Sequence, residues 1–361
     1  MVRAGHPAGF RDRVVAGGRR YGDEHAAFDR PRRRSRPRTK QRPDYSDAPV
    51  ARVVSVDRGR YRCRIDQRLV TATKARVLGR HSAIVGDLVR LDGDTSGAEG
   101  TLARIVQVEP RESVLRRTAD DDDPYERPIV ANADQLVIVT ALADPPPRTG
   151  MIDRILVAGY DAGLTPLLCL TKADLATPDE LTAAYEPLGV PVVATRPGVD
   201  LDPLRRLLTG RTSVLVGHSG VGKSTLVNAL VPAAQRAIGH VNEVTGRGRH
   251  TSTSALALSL PEGGWIIDTP GVRSFGLSHV QPQKVLAAFP DLAEFTADCP
   301  RGCDHDSAEP ECALDRAWRE GEVPRGRVES FRRMIDSRRS PGDQAEPAEH
   351  STTSSDGRQG T

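Results

Sequence analysis

The pattern of hydrophobic positions changes rhythm along the chain. From Val50 to Val108 apolar residues alternate with polar ones in short runs, the period-two pattern of half-buried strands. Residues 50–56 form one run, and Asp57-Arg58-Gly59 then reads as a hairpin turn. Tyr61, Cys63 and Ile65 alternate with Arg60, Arg62 and Arg64, and residues 69–75, 87–91 and 101–108 supply further strands. Five short strands in succession predict a small β-barrel, with an OB-fold as the expected kind. One face of the second strand is half-apolar and the other strongly basic. The basic face suits RNA backbone phosphates, and Tyr61 is the aromatic residue available for base stacking. Cys63 reads as a small core residue.

Residues 109–131 are polar and carry Asp120-Asp121-Asp122-Asp123. Adjacent carboxylates repel and stay solvated, so this stretch reads as a linker or long loop. From Gln135 the rhythm becomes α/β. Buried strands are predicted at 136–140, 165–170, 190–194 and 212–216, with helices at 151–162, 178–185 and 201–208. A further helix carries Leu226, Val227 and Leu230. Leu256, Leu258 and Leu260 then alternate as a strand, and Trp265-Ile266-Ile267 forms another. Strands alternating with helices predict a mostly parallel sheet covered on both faces. Near the end, Val285, Leu286 and Phe289 predict a helix. Residues 314–335 read as helical with a basic face that includes Arg325, Arg327, Arg332 and Arg333.

Chemistry concentrates at three places in this frame. Gly217-His218-Ser219-Gly220-Val221-Gly222-Lys223-Ser224-Thr225 fits a phosphate-binding loop and lies between a strand and a helix start. Its glycines let successive N–H groups converge on one phosphate chain, and the helix N-terminus adds free donors. Lys223 is expected to neutralise phosphate, Ser224 to place its hydroxyl on Mg²⁺, and Thr225 to cap the site. Earlier in the chain, Thr171-Lys172-Ala173-Asp174 closes a strand. A carboxylate there can accept two hydrogen bonds from guanine, and adenine cannot supply that pair of donors. Ala194-Thr195-Arg196 occupies the place of a second base-contacting loop. Later, Asp268-Thr269-Pro270-Gly271 follows a strand, where Asp268 can hold Mg²⁺ through water and the Gly271 N–H can meet a γ-phosphate. The polar, glycine-rich run Gly246-Arg247-Gly248-Arg249-His250-Thr251-Ser252-Thr253 reads as a mobile loop.

The third place is Cys299-Pro300-Arg301-Gly302-Cys303-Asp304-His305 with Cys312 beyond it. Three thiolates and one imidazole make a closed tetrahedral Zn²⁺ site, expected to be structural because no ligand position stays open. Five cysteines, odd in number and clustered, argue against a disulfide framework.

Composition adds boundaries. At 361 residues, with 38% hydrophobic and 27% charged residues, the chain suits a soluble multidomain protein. No apolar run approaches a membrane span, and the N-terminus lacks the apolar core of a secretory signal. The net charge of +3 hides a strongly basic arm, Arg30-Pro31-Arg32-Arg33-Arg34-Ser35-Arg36-Pro37-Arg38-Thr39-Lys40. It has no apolar periodicity and is expected to be disordered. The domains are therefore set at 1–49 for the basic arm, 50–110 for the OB-fold and 111–131 for the linker. A P-loop domain at 132–279, a zinc-binding helical domain at 280–336 and a disordered tail at 337–361 complete the division.

The base-reading element precedes the phosphate loop, the reverse of the usual order in GTPases. That order, with Gly248-Arg249-His250-Thr251, Asp268-Thr269-Pro270-Gly271-Val272-Arg273 and the Cys/His cluster, resembles the circularly permuted, small-subunit-dependent GTPases of the RsgA type. The resemblance covers roughly residues 50–335. It implies GTP hydrolysis stimulated by the 30S subunit during its late maturation, contact with 16S rRNA, a cytoplasmic monomer, and Mg²⁺ with GTP. It also implies that His250 positions the attacking water. The chain departs from the family pattern in the cluster. One residue fewer separates Cys299 from Cys303, and one more separates His305 from Cys312. Two rival readings are an RNA-binding assembly scaffold with a vestigial nucleotide site and an ATP-using phosphoryl transferase. The Lys172-Ala173-Asp174 element disfavours the second.

Overall fold

The computed structural model describes residues 44–79, 83–118, 125–232, 255–270, 276–277, 280–306 and 311–337. The basic arm, the Asp120–Asp123 run, His250 with its loop, Gly271 and the C-terminal tail lie outside these residues. Contacts divide the chain into 1–44 and 45–361, and the fold below is that of the second unit.

The barrel strands are β1 (Val50–Asp57), β2 (Arg60–Ile65), β3 (Arg68–Lys74), β4 (Leu88–Gly93) and β5 (Ala103–Val108). They pair in the order β1-β2-β3-β5-β4, and β4 closes back on β1. This is the five-stranded closure expected of an OB-fold. Arg58 and Gly59 both take positive φ in the β1–β2 turn, as a tight hairpin matching strand twist requires. The period-two residues fill the barrel: Ala51, Val53, Cys63, Val70, Ala72, Val89 and Ile105 are buried together. Tyr61 belongs to this core, only 3% exposed, so it is not available to stack on bases. The apolar half of β2 faces inward, and Tyr61 goes with it.

The stretch read as a linker is built into the structure. β6 (Val114–Arg117) and β7 (Arg127–Ala131) form a two-stranded antiparallel sheet. Leu115 and Val130 are buried in the main core. The surrounding charge had masked this short apolar alternation.

The second sheet region contains β8 (Gln135–Ala141), β9 (Thr165–Thr171), β10 (Val192–Ala194), β11 (Thr212–Val216), β12 (Leu256–Ser259) and β13 (Trp265–Asp268). Its order is β10-β9-β8-β11-β13-β12, parallel except for β12. Helices α1 (Thr149–Asp161), α2 (Asp179–Tyr185), α3 (Asp202–Leu208) and α4 (Lys223–Leu230) connect it. All seven residues of β8 are buried, as a strand covered on both faces requires. Leu136 and Ile138 join one core, and Val137 and Val139 join the other, with Leu204, Leu226 and Val227.

Barrel and sheet are continuous. β1 pairs β12 at Ser55 and Leu256. The Arg52 and Arg64 guanidiniums each lie 5.3 Å from the centre of the Trp265 ring, within cation–π range. Arg64 also donates to Ser259 Oγ at 2.9 Å. Arg64 is thus a bond between barrel and sheet rather than part of an open basic face.

The C-terminal part holds α5 (Pro282–Leu286), α6 (Pro290–Ala293), α7 (Ala313–Arg319) and α8 (Arg325–Asp336). The single helix expected over 314–335 is two. Gly321 takes φ of 78° and Pro324, which has no N–H to donate, precedes α8 in extended conformation. Arg327, Arg332 and Arg333 turn inward, and Arg325 stays exposed. Arg327 grips Asp291 through two bonds of 2.8 and 2.9 Å. Arg333 donates to Asp153 of α1 at 3.0 Å and to the Ala184 carbonyl at 3.1 Å. Asp153 is 1% exposed. Burial pushes its carboxyl pKa up, and the Arg333 guanidinium opposes that rise. Phe289 meets Tyr160 and Phe331 edge to face at 4.8 and 5.2 Å.

Removing Arg333 strands a buried carboxylate, which costs about 3 kcal/mol. Removing Arg325 breaks an exposed Arg325–Glu329 pair and a surface cation–π contact with Trp318 at 4.9 Å, together worth about 1 kcal/mol. Urea denaturation of Arg333→Ala and Arg325→Ala should show that contrast. Equal effects would mean that the Asp153 pair does not clamp α8 to α1.

Candidate functional site

β11 ends at Val216, and the chain then crosses the end of β8. A Cβ on Gly217 would lie 2.3 Å from the Val139 carbonyl oxygen, so only glycine lets the loop pass there. Gly222 takes φ of 85° immediately before α4, a conformation glycine adopts without cost. Lys223 opens α4 and is 8% exposed. Ser219, Gly220, Ser224 and Thr225 are exposed, His218 is half-buried, and Val221 is buried as the loop's anchor.

The loop meets the Thr171-Lys172-Ala173-Asp174 element directly. Thr171, buried at the end of β9, donates its hydroxyl to the Val221 carbonyl at 2.5 Å, with the Thr140 carbonyl at 3.2 Å. Lys172 takes a left-handed φ of 57°, which turns the chain at the strand end. Its Nζ donates to the Asp144 carbonyl. The Ala173 N–H bonds the Thr195 carbonyl at 3.0 Å, so the 194–196 loop lies against the first element, as read from the sequence. Asp174 is exposed beyond this turn.

The third element arrives on β13. Lys223 Nζ donates to Asp268 Oδ1 and to the Thr269 carbonyl. Thr269, 2% exposed, returns its hydroxyl to the Leu215 carbonyl at 2.7 Å. The ends of β9, β11 and β13 therefore deliver a carboxylate-bearing turn, a glycine loop with a buried ammonium, and a second carboxylate to one edge of the sheet. Open α/β sheets bind ligands at this edge. Glycine N–H groups, a helix start and Lys223 can together hold a phosphate chain. Asp144 was not singled out from the sequence, and Thr269 was named only as a member of the Asp268–Gly271 element. The signal available was their position just past the ends of β8 and β13.

The Cys/His cluster also forms. The ligand atoms of Cys299, Cys303, His305 and Cys312 all lie within 4.8 Å of one another. His305 Nδ1 is 3.3, 3.6 and 3.8 Å from the sulfurs of Cys303, Cys299 and Cys312. Ligands about 2.0–2.3 Å from a tetrahedral metal stand at nearly these separations. The altered spacing is absorbed in turns: Gly302 and His305 both take positive φ. The Ala313 N–H donates to Cys299 Sγ at 3.3 Å. Burial pushes the Cys303 thiol up to about 12 and raises Cys299. At Cys312 burial is outweighed by His305, the Leu314 N–H and Arg332, and the thiol lies at about 7. A soft thiolate and imidazole set of this size fits one thiophilic divalent ion.

The sequence model described as RsgA GTPase matches residues 108–278. The protein named small ribosomal subunit biogenesis GTPase RsgA from Pseudomonas fluorescens is 41% identical over 251 residues, covering 67% of this chain and 72% of that one. Its namesake from Sodalis glossinidius is 39% identical over 269 residues, covering 71% and 76%. The chain belongs to the RsgA GTPase family. Among solved structures, YjeQ from Thermotoga maritima is similar at 26% identity and a TM-score of 0.59, covering 81% of this chain and 98% of that one. YloQ, described as a circularly permuted GTPase, has 23% identity and a TM-score of 0.58, covering 82% and 98%, a likeness of fold.

In this RsgA-family chain the permuted order has a visible consequence. The base-side turn and the phosphate loop, 46 residues apart from Thr171 to Gly217, are joined by one hydroxyl. Thr171→Val keeps the shape and leaves the Val221 carbonyl short of its donor. It should lower stability by about 1–3 kcal/mol, read from urea unfolding, whereas Thr225→Val on the exposed helix start should change it little. No difference between the two would remove the bond from its role.

Proposed function

We propose that this chain hydrolyses GTP to GDP and phosphate while it acts on the assembling small ribosomal subunit. The observation that carries the reading is the meeting of a Lys172-Ala173-Asp174 turn and a Gly217–Thr225 loop through Thr171 and Val221. Asp174 accepts from guanine, and the Lys172 stem lies along the purine. The loop N–H groups from 218 to 225 hold the phosphates, and Lys223 neutralises them. Ser224 and Asp268 would hold Mg²⁺, which when bound supplies charge neutralisation between the β- and γ-phosphates. Lys223 is already bonded to Asp268, so a triphosphate competes for an ammonium that the β13 loop also uses. That competition gives γ-phosphate a direct handle on the 268–271 segment. The Gly271 N–H and His250, both outside the described residues, are assigned the γ-phosphate contact and the orientation of the attacking water.

Cys299, Cys303, His305 and Cys312 are assigned one structural Zn²⁺. The OB-fold at 50–110 is assigned to 16S rRNA backbone. Its support is a groove of about 790 Å³ in which the three cations Arg58, Arg60 and Arg62 outnumber the two carboxylates Asp57 and Glu99. With Tyr61 buried, the barrel offers charge rather than stacking. A GTPase domain at 132–279, a zinc domain at 280–336, a monomeric state and a cytoplasmic location complete the reading. No helix among the described residues is long and apolar enough to cross a membrane.

Turnover by the free chain should be slow and rise by about tenfold or more with 30S subunits, since a partner must complete the charge stabilisation. Equal rates with and without subunits would overturn this, and equal 30S binding with GDP and a non-hydrolysable GTP analogue would favour the scaffold reading. Asp174→Asn should weaken GTP binding by about 10–100-fold and favour xanthosine triphosphate, because guanine donors lose their acceptor. Titration with fluorescent nucleotides reads this, and unchanged GTP affinity would take Asp174 out of the site.

A further inference from the structure

Arg332 presents a charge problem that the nucleotide site does not solve. It lies on α8 with its side chain 13% exposed, and its Nη1 donates to Asp315 Oδ1 at 2.6 Å. Its Nε and Nη2 are buried and have no hydrogen-bond partner. A buried guanidinium with two idle donors is expensive unless an anion faces it. Besides Asp315, the group its charge acts on is Cys312.

The geometry around Cys312 explains the placement. Cys312 precedes the first residue of α7, and the Asp315 N–H bonds the Cys312 carbonyl at 3.0 Å. Asp315, three residues on, is thus held in the same turn, and it tethers Arg332 to the turn that Cys312 opens. A divalent ion held by three thiolates and a neutral imidazole carries a net charge of −1. Cys303 and Cys312 belong to the same apolar core as Leu292, Leu314 and Met334, each fully buried. Acidic residues crowd the same segment, with Asp298, Asp304, Asp306 and Glu311 around the ligands. Arg316, the basic residue nearest in sequence to Cys312 on α7, is exposed and spent on Asp298. Arg332 is a cation with buried, unbonded donors that is tied to the turn carrying Cys312.

We propose that Arg332 is the counter-charge of the metal–thiolate centre, held on Cys312 by Asp315, and that it sets how tightly the metal is retained. This rests on the reading of the cluster as a Zn²⁺ site. It adds a residue from α8, outside the ligand segment, to the determinants of metal affinity. It also makes α8 part of the metal centre, so that the helix clamped to α1 by Arg333 is the one that neutralises the cluster.

The test is Zn²⁺ competition against a chromophoric chelator on the full-length chain. Arg332→Met should lose about 10–100-fold in Zn²⁺ affinity, the scale on which outer partners act. Arg332→Lys should recover most of it, and Asp315→Asn should fall between. The Co²⁺-loaded Arg332→Met protein should show shifted sulfur-to-metal charge-transfer bands, because the Cys312 sulfur loses its cationic neighbour. Urea midpoints of the metal-free variants separate a structural role. If Arg332→Met lowers metal-free stability and leaves the Co²⁺ bands and Zn²⁺ affinity unchanged, the proposal is overturned. If Arg332→Met does not fold, Lys and Asn variants decide: wild-type affinity in Asp315→Asn with unshifted bands overturns it. If the wild-type chain takes up no Zn²⁺, the metal reading itself fails, an outcome distinct from equal affinity across the variants.

Discussion

Parallel alignment of β8, β9, β11 and β13 is the constraint on which the rest depends. Parallel strands finish at the same edge, so whatever follows each of them meets the others there. Sequence order is irrelevant to that meeting. A turn that follows β9 and a loop that follows β11 become neighbours even though the usual order is reversed. The Thr171 hydroxyl on the Val221 carbonyl then turns proximity into a fixed contact. Gly217 makes this possible, because any side chain there would collide with β8 as the loop crosses it.

The same edge ties the phosphate loop to the rest of the molecule. Lys223 bonds Asp268 at the end of β13, and β13 begins at Trp265, which two barrel arginines cover. A single four-residue strand therefore has the Lys223 ammonium at one end and the barrel at the other. On the opposite side, α8 is clamped to α1 by Arg333 and Arg154, the latter through the Ser337 carbonyl at 2.5 Å. The C-terminal helices and metal cluster are thus part of the packed unit. Much of the basic character read from α8 is consumed in holding it there.

Legibility varied with the kind of signal. The phosphate loop, the strand-end turn and the Cys/His cluster are local patterns whose chemistry demands particular residues at particular spacings, and all were visible. The β-barrel was visible because alternation is local too. The β6–β7 hairpin was not, because its apolar pairs are short and flanked by charge. The break at Pro324 within the expected long helix was readable in principle, since proline and Gly321 stop helices, but the run of arginines and apolar residues obscured it. The fate of Arg64 could not be read at all. Alternation says that residues fall on two faces, and it does not say which face another sheet will cover.

By itself the sequence determined the element types, the alternation that closes a barrel, and the residues able to hold phosphate, guanine and a thiophilic metal. These depend on backbone periodicity and side-chain chemistry, which act within a few residues. The tertiary structure decided which of those residues touch. It brought Thr171 to Val221 and Lys223 to Asp268, sent Arg64 onto Trp265 and Arg333 onto Asp153, and tied Arg332 to Asp315. Contacts between residues far apart in sequence are set by how sheets and helices pack, and packing is a property of the whole chain.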